Sequence, residues 1–268
     1  MASIDLGATA TLEWGTVPSG GAPSLSIVRP DGTSIATPAS TTGPTSATAK
    51  FTPSMPGRHL ARWTAFAMDG TMGAHVDVLD VWPADPLFII PVGEMKTGLN
   101  ADHATAAQLE DMRLFVAAAT PVIEDIVGPV VHRQFTQVAD GGAHAVVLQH
   151  RADAVVSITE LGSPLADFVF DEDASIVYAG RQLAPRLFMP GIRAVVVTFT
   201  AGYQVIPANI RLAARELVRH WWQIGMQSQG GSVRRGSASD DVFTPSGFAV
   251  PRRVMELCAA DEGVGGFA

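Results

Sequence analysis

The chain has 268 residues, of which 47% are hydrophobic and 16% are charged, and its net charge is −8. That length accommodates one or two domains with a sizeable core. Tight DNA binding normally requires a basic surface that neutralises phosphates, so the acidic balance argues against DNA binding as the main role. A single cysteine excludes an internal disulfide. No apolar run approaches the ~20 residues that span a bilayer, and the first residues lack the features of a signal peptide. We therefore expect synthesis in a bacterial cytoplasm and no membrane partner.

Residues 1–82 have the pattern of a β-sandwich. Short alternating apolar segments are separated by turn signals rich in proline, glycine and aspartate. The predicted strands cover residues 8–14, 25–28, 47–51, 59–67 and 74–81. Phe51, the turn at Pro56 and Gly57, and Trp63 have a spacing that resembles a strand pair of bacterial and phage Ig-like domains. The resemblance implies that Trp63 packs between two sheets.

A linker is predicted for residues 83–101. Prolines at 83, 86 and 91 disfavour regular structure there. The apolar run at 87–90 would be a liability if it were exposed. We therefore expect this run to pack against the second domain or against a neighbouring subunit.

An amphipathic helix is predicted to start near residues 102–105. Thr105 and Gln108 match a capping box, in which two side chains satisfy two unpaired backbone donors at the helix start. Pro121 either kinks this helix or begins a second one that Thr120 caps. Gly128, followed by a proline, is expected to end the helical segment.

A β-rich insertion follows the helix. Segments 132–138 and 145–148 flank a turn with two glycines, which predicts a hairpin. Further strands are predicted at 155–161, 168–170, 175–178 and 194–200. The carboxylates at 171–173 lack the spacing of a calcium loop, so they indicate a solvated turn.

The most informative segment is 194–222, which combines a strand, a sharp turn and a long helix. Val195, Val197 and Phe199 lie on one face of the predicted strand. Gly202 permits the backbone angles of a sharp exit, and Pro207 suits the first helical turn. Apolar residues then recur at helical spacing: Ile210, Ala213, Ala214, Leu217, Trp221 and Ile224.

This segment resembles the head-to-tail connector (adaptor) proteins of long-tailed bacteriophages. The resemblance is based on the sequences VVVTFTAGY, IPANIRLAA and VRHWW, and the stretches at 117–128 and 247–257 support it. This resemblance covers roughly residues 102–260 and implies a helical adaptor domain with a β-rich insertion at 102–229 and a flexible C-terminal arm at 230–268. Together with the Ig-like β-sandwich at 1–82 and the linker at 83–101, it predicts an α+β chain.

The resemblance also implies a function. It predicts a structural virion protein of the neck that forms a ring of twelve copies between the portal protein and a downstream stopper or terminator protein. DNA passes through the lumen of such a ring without tight binding. The resemblance implies no catalytic residue, no metal and no cofactor.

Arg211, Arg215 and Arg219 form a stripe at i, i+4 and i+8 of the long helix. Like charges at this spacing weaken an isolated helix, so some compensation is expected. Glu216, acidic groups of a partner, or DNA phosphate could supply it. The stripe is therefore a solvated face, a subunit or portal contact, or a DNA contact.

Trp222 and the C-terminal arm supply the remaining interface candidates. Trp221 continues the apolar stripe of the helix and is predicted to be core, which leaves Trp222 for an interface; alternatively both are buried locally. Apolar residues on the arm fit docking on another surface and folding back on the same domain equally well, and the resemblance to the connector family favours docking. These arm residues are Phe243, Phe248, Val250, Pro251, Val254 and Leu257.

Two other function classes remain open. The Ig-like region fits a surface adhesion or carbohydrate-binding protein, which would need an exposed aromatic cluster on the sandwich. An enzyme hypothesis rests on Glu216 and His220, which are four residues apart and predict an intrahelical pair far more readily than an acid–base couple. His144 and His150 could share a strand face, although no zinc-binding spacing occurs.

Overall fold

The computed structural model describes residues 2–67, 69–229 and 250–259. The chain divides into two compact units, Met1–Pro86 and Leu87–Ala268. Both contain several strands and the second also contains helices, so the fold is mixed α+β as predicted. Phe243 and Phe248 lie outside the described residues. Among the helices of the described ranges, none combines the length and apolar character that a membrane span needs.

The described part of the first unit forms two sheets. Its strands are β1 (Ala2–Asp5), β2 (Ala10–Trp14), β3 (Ala22–Val28), β4 (Ser34–Thr37), β5 (Ser40–Gly43), β6 (Ser46–Phe51), β7 (Gly57–Phe66) and β8 (Met72–Trp82). One sheet has the order β1-β8-β7-β3-β4 and the other the order β2-β6-β5. The five predicted strands correspond to β2, β3, β6, β7 and β8. The pattern does not predict β1, β4 or β5, because each has only four residues.

One apolar core lies between these two sheets. Alternation directs Ala10, Leu12 and Trp14 of β2 inward. Trp63 of β7 belongs to the opposite sheet and is only 1% exposed. Its ring centroid lies 6.2 Å from that of Trp14. The expectation that Trp63 packs between the sheets is therefore confirmed.

In the described part of the second unit, helices lie before and after a β-rich insertion. The helices are α1 (Val92–Gly98), α2 (Ala106–Val127), α3 (Ala208–Gln229) and α4 (Arg252–Ala259). The insertion contains β9 (Arg133–Ala139), β10 (Ala145–Val147), β11 (Ala152–Glu160), β12 (Ser163–Pro164), β13 (Phe168–Asp171), β14 (Ile176–Arg181), β15 (Ala184–Pro185) and β16 (Val195–Ala201). Its sheets have the orders β12-β11-β16-β9 and β10-β14-β13, and β15 pairs with β14.

The start and the end of α2 agree with the prediction. The Thr105 hydroxyl accepts a hydrogen bond from the Gln108 backbone N–H at 3.3 Å, and the Gln108 side chain accepts one from the Thr105 N–H at 2.9 Å. Gly128 caps the other end with a φ of 84°. The capping box and the glycine stop are therefore confirmed.

The alternative of a second helix at Pro121 is wrong. α2 continues through this proline without a new start. Thr120 is buried, and its hydroxyl accepts a hydrogen bond from the Ile89 N–H at 3.3 Å. This threonine therefore ties the preceding segment to α2 rather than capping a helix.

The predicted hairpin between 132–138 and 145–148 is also wrong. β9 pairs with β16, whereas β10 pairs with β14 in the other sheet. The connecting glycines bond elsewhere: Gly141 N–H donates to Gly191 O and Gly142 N–H to Phe188 O, both at 2.9 Å. A neighbouring loop thus takes the donors that a tight hairpin turn would have used.

The segment around α1 corrects the prediction of an irregular linker. Pro91 occupies the N-cap position of α1, where its missing N–H leaves no bond unmade. Ile89, Ile90 and Met95 are buried in the same core as α2, α3 and α4. The apolar run therefore packs within its own unit, which is the first of the two expected arrangements.

The strand and helix of segment 194–222 follow the predicted pattern. Residues of β16 alternate strictly between buried and half-buried positions, and β16 lies between β11 and β9 in its sheet. Gly202 adopts a φ of 110° at the exit. α3 begins directly after Pro207 and buries Ile210 and Leu217. This arrangement holds α3 with its arginine stripe pointing away from the core.

Candidate interaction surface

The arginine stripe lies on the exposed side of α3, beside α1. Arg211 donates a hydrogen bond from Nη2 to Oε2 of Glu94 at 2.6 Å. Arg219 lies 4.0 Å from Oε1 of Glu216, one turn earlier on the same helix. Glu216 was one of the predicted sources of compensation. Glu94 was not, because it falls in the stretch that the prolines marked as irregular.

Arg215 differs from its two neighbours on the stripe. Among the described residues it forms no hydrogen bond or ion pair. Its guanidinium lies against Gly98 at the end of α1, where a Cβ atom would be 3.0 Å from Nη2 of Arg215. The missing side chain of Gly98 therefore makes room for this guanidinium.

A cleft of about 110 Å³ opens beside Arg215. Its walls combine apolar and charged side chains from α1 and α3 and from the residue that follows α1. They are Met95, Gly98, Leu99, Leu212, Arg215, Glu216 and Arg219. Two guanidinium groups and one carboxylate give the cleft a net positive charge above an aliphatic floor. This cleft is the most specific feature of the predicted interface.

Both tryptophans near the end of α3 pack against the core of their own unit. Trp221 and Trp222 are partly buried there, and the Trp221 ring lies 6.3 Å from that of Phe115. The arrangement matches the alternative in which both residues are buried locally. An interface role for Trp222 would be limited to the part of its side chain that stays accessible.

The C-terminal interface candidates lie on or next to α4. Pro251 directly precedes α4, and its carbonyl accepts a hydrogen bond from the Val254 N–H at 2.9 Å. Val254 is fully buried, while Val250 and Leu257 are partly buried in the helical core. Asn209 of α3 donates to the Leu257 carbonyl at 3.0 Å. The sequence favoured docking on another surface, but in the structure this segment packs on α2 and α3 of the same chain.

A partly buried ion pair joins the helices to the insertion. Arg133 of β9 donates two hydrogen bonds of 2.7 Å to the carboxylate of Glu124 on α2. The same carboxylate accepts from the backbone N–H groups of Val130 and Val131. Burial by itself would raise the pKa of Glu124, but these four donors together hold the pKa below its usual value.

Three exposed apolar side chains on loops of the insertion were not among the residues predicted from the sequence. Leu161, Leu183 and Ile192 lie on loops of the insertion and are 58%, 98% and 89% exposed. These loops are braced by hydrogen bonds, such as that from the Leu161 N–H to the Ala194 carbonyl at 2.7 Å. Exposed apolar groups of this kind often mark contact sites. One sequence feature could have revealed these residues: an apolar residue next to or near a turn glycine, as at Leu161 and Gly162.

Three of the residues weighed for catalysis or metal binding have structural contacts: Glu216, His144 and His150. Glu216 pairs with Arg219. His144 Nδ1 lies 3.1 Å from the Arg186 carbonyl, and the His150 ring lies 4.8 Å from that of Phe135. In the described ranges, no three His, Cys, Asp or Glu side chains converge as a metal site would require.

The adhesion hypothesis depends on exposed aromatic side chains in the first unit. Trp14, Phe51 and Trp63 are buried in the sandwich core. Phe66 is 64% exposed at the end of β7, and Trp82 is half-buried. The structure thus places most of these rings away from a surface where they could stack on a sugar.

No family model matches the sequence, and no curated protein matches it. Three solved structures resemble parts of the chain weakly. A candidate glycoside hydrolase from Bacteroides vulgatus has a TM-score of 0.26 at 13% identity over 32% of this chain and 17% of its own. CopC from Methylosinus trichosporium has a TM-score of 0.25 at 18% identity over 33% and 91%.

The third is a protein of the mixed-linkage glucan utilization locus of Bacteroides ovatus, SGBP-B, in complex with a mixed-linkage heptasaccharide. Its TM-score is 0.22 at 13% identity over 68% of this chain and 36% of its own. The chain therefore spans well under half the length of two of these three proteins. Likenesses of this strength establish neither a shared fold nor a shared function.

Proposed function

We propose that the chain is a structural protein of a tailed-phage neck, a head-to-tail adaptor that docks as a ring beneath the portal. The observation that supports this proposal is the element order of the second unit: helix, β-rich insertion, then the long helix α3 with its exposed arginine stripe. The sequence resemblance in 194–222 points to the same assembly. In this proposal the protein performs no chemistry, and the first unit is an Ig-like domain that projects outward or braces neighbouring copies.

Two kinds of exposed residue fit an assembling protein. The stripe on α3 offers charge for a portal or subunit contact. Leu161, Leu183 and Ile192 are exposed apolar side chains whose burial against a partner would be favourable. A net charge of −8 fits a lumen that lets DNA slide rather than holding it. A downstream stopper or terminator would contact the face opposite the portal.

Electron microscopy of the chain mixed with the portal ring of its own phage tests the proposal. We expect added density with ring symmetry under the portal, and the density gives the copy number. The variant that carries both Arg215→Glu and Arg219→Glu should lose this density. Arg151→Glu, which reverses an exposed charge on the insertion instead of α3, should keep it.

Intact, folded wild-type protein that leaves the portal bare would overturn the adaptor role. In that case a different neck or tail component, or the adhesion hypothesis, would take its place. Binding of residues 1–86 to a glycan array would then favour adhesion.

A further inference from the structure

The cleft between α1 and α3 has an incomplete set of charges. Glu94, on α1, neutralises Arg211 of α3. Glu216, on α3 itself, neutralises Arg219. Arg215 lies between them and, among the described residues, has no acidic partner. One further carboxylate would complete the row of pairs.

Gly98 explains why α1 supplies no partner for Arg215. Glu94 and Gly98 are one turn apart on α1, opposite Arg211 and Arg215, which are one turn apart on α3. α1 therefore supplies a carboxylate opposite the first arginine and no side chain opposite the second. The backbone of Gly98 has no positive φ, so the glycine is explained by the space it leaves and not by its conformation.

The rest of the cleft selects among anions. Met95, Leu99 and Leu212 form an aliphatic wall, which suits the methylene groups of a glutamate side chain. Glu216 stands in the same cleft and disfavours a doubly charged phosphate more than a singly charged carboxylate. The cleft, with a volume of about 110 Å³, has room for a glutamate side chain.

We infer that this cleft is a docking socket for one glutamate side chain of a partner protein, held by the Arg215 guanidinium and flanked by apolar neighbours. Arginine binds carboxylates with two parallel hydrogen bonds, which gives such a socket direction as well as charge. The inference goes beyond the adaptor role and does not depend on it, because the cleft itself specifies the ligand chemistry.

The test uses the full-length chain and two synthetic peptides, N-acetyl-Leu-Glu-Leu-amide and its glutamine counterpart. Nuclear magnetic resonance of the arginine Nε–H groups reports binding. We expect the glutamate peptide to shift the Arg215 signal saturably, at roughly millimolar affinity, and the glutamine peptide to leave it in place. Equal shifts with both peptides, or an unmoved Arg215 signal, would overturn the socket.

Variants separate charge from geometry. Arg215→Gln removes the Arg215 reporter, so its binding is followed through the Nε–H signal of Arg219, which lines the same cleft. This variant should weaken binding of the glutamate peptide at least tenfold. Gly98→Ala keeps every charge but places a Cβ atom 3.0 Å from the guanidinium, so binding should weaken several-fold. Gly93→Ala is the matched control, because it changes a glycine of the same helix with open space around it. Equal binding by the two alanine variants would contradict the geometric argument.

Two other occupants would also overturn the inference. If inorganic phosphate displaces the glutamate peptide at equal concentration, the site is a general anion site. If binding appears only after Asp261→Asn and Glu262→Gln are introduced together, the chain's own acidic residues occupy the cleft. Binding that survives phosphate and is indifferent to these two substitutions supports the socket.

Discussion

Gly202 occupies the point where β16 leaves its sheet and the chain turns toward α3. A Cβ atom there would lie 2.7 Å from the Cα of His132 and 2.8 Å from the carbonyl carbon of Val131. The φ of 110° adds strain for any residue other than glycine. The position is therefore restricted by two independent effects, close backbone approach and backbone conformation.

Replacement of Gly202 by alanine is expected to destabilise the second unit by about 2–4 kcal/mol, because backbone strain of about 1–3 kcal/mol is joined by a clash. Gly162→Ala is the matched control: its φ is 80°, but nothing lies within 4 Å of the new Cβ atom. Thermal unfolding of both variants measures the difference. Since each kcal/mol shifts the Tm of a domain this size by about 2–4 °C, Gly202→Ala should melt several degrees lower. Equal melting temperatures would show that conformation alone sets the cost.

The individual residues show where sequence reasoning reaches its limit. The sharp exit at Gly202 was predictable, since glycine after an alternating strand has a local meaning. The approach of His132 was not, because it joins positions 70 residues apart. Likewise the arginine stripe follows from spacing on one helix, whereas Glu94, its partner, depends on how α1 packs beside α3.

At the scale of elements, the Glu124–Arg133 pair connects α2 to β9. The carboxylate is 12% and the guanidinium 25% exposed, so water screens this pair only weakly. Because backbone N–H groups of 130 and 131 also donate to Glu124, the pair fixes the turn by which the helix leads into the insertion.

Glu124→Gln should destabilise the second unit by about 2 kcal/mol at pH 7, since the amide keeps an acceptor oxygen but loses the charge. The pKa of Glu124 is lowered on folding. A carboxyl group with a lowered folded pKa contributes stability above its unfolded pKa and loses it as the pH falls through the folded value. The difference in unfolding free energy between wild type and variant should therefore be largest at neutral pH. It should shrink as the pH falls below the ordinary pKa range of a glutamate side chain. Urea unfolding at a series of pH values measures it.

The matched control for this pair is Asp167→Asn, which removes the exposed pair with Arg181. Exposed pairs contribute little, so its unfolding free energy should stay near that of the wild type. If both variants lose the same unfolding free energy at every pH, the Glu124–Arg133 pair has no special role in joining helix and insertion.

Element boundaries were predicted best where the deciding groups are local. The capping box at Thr105 and Gln108 and the stop at Gly128 involve neighbours along the chain, and all were found. The hairpin after β9 failed because the donors of Gly141 and Gly142 bond to a loop nearly 50 residues later. Nothing in the local sequence distinguishes a turn that closes a hairpin from one that another segment captures.

At the scale of the whole molecule, each unit has its own apolar core. The core of the first unit is formed by residues between Ala10 and Val81, from both of its sheets. The cores of the second unit are formed by residues from Ile89 onward. Because a domain with its own core can fold alone, separate expression of the two units is a direct test of this division.

Fragment 1–86 is expected to unfold in one cooperative urea transition, and fragment 87–268 in another with a larger m-value, because m scales with the surface exposed on unfolding. Circular dichroism and tryptophan fluorescence should report the same midpoint for the smaller fragment.

Within this fragment, Trp63→Ala removes a side chain that is 1% exposed between the sheets. The loss of about 3–5 kcal/mol of unfolding free energy should abolish the transition of so small a domain. Phe66→Ala, at a position that is 64% exposed, should preserve it. A wild-type fragment 1–86 without any transition would mean that the sandwich depends on the rest of the chain, despite enclosing a core of its own.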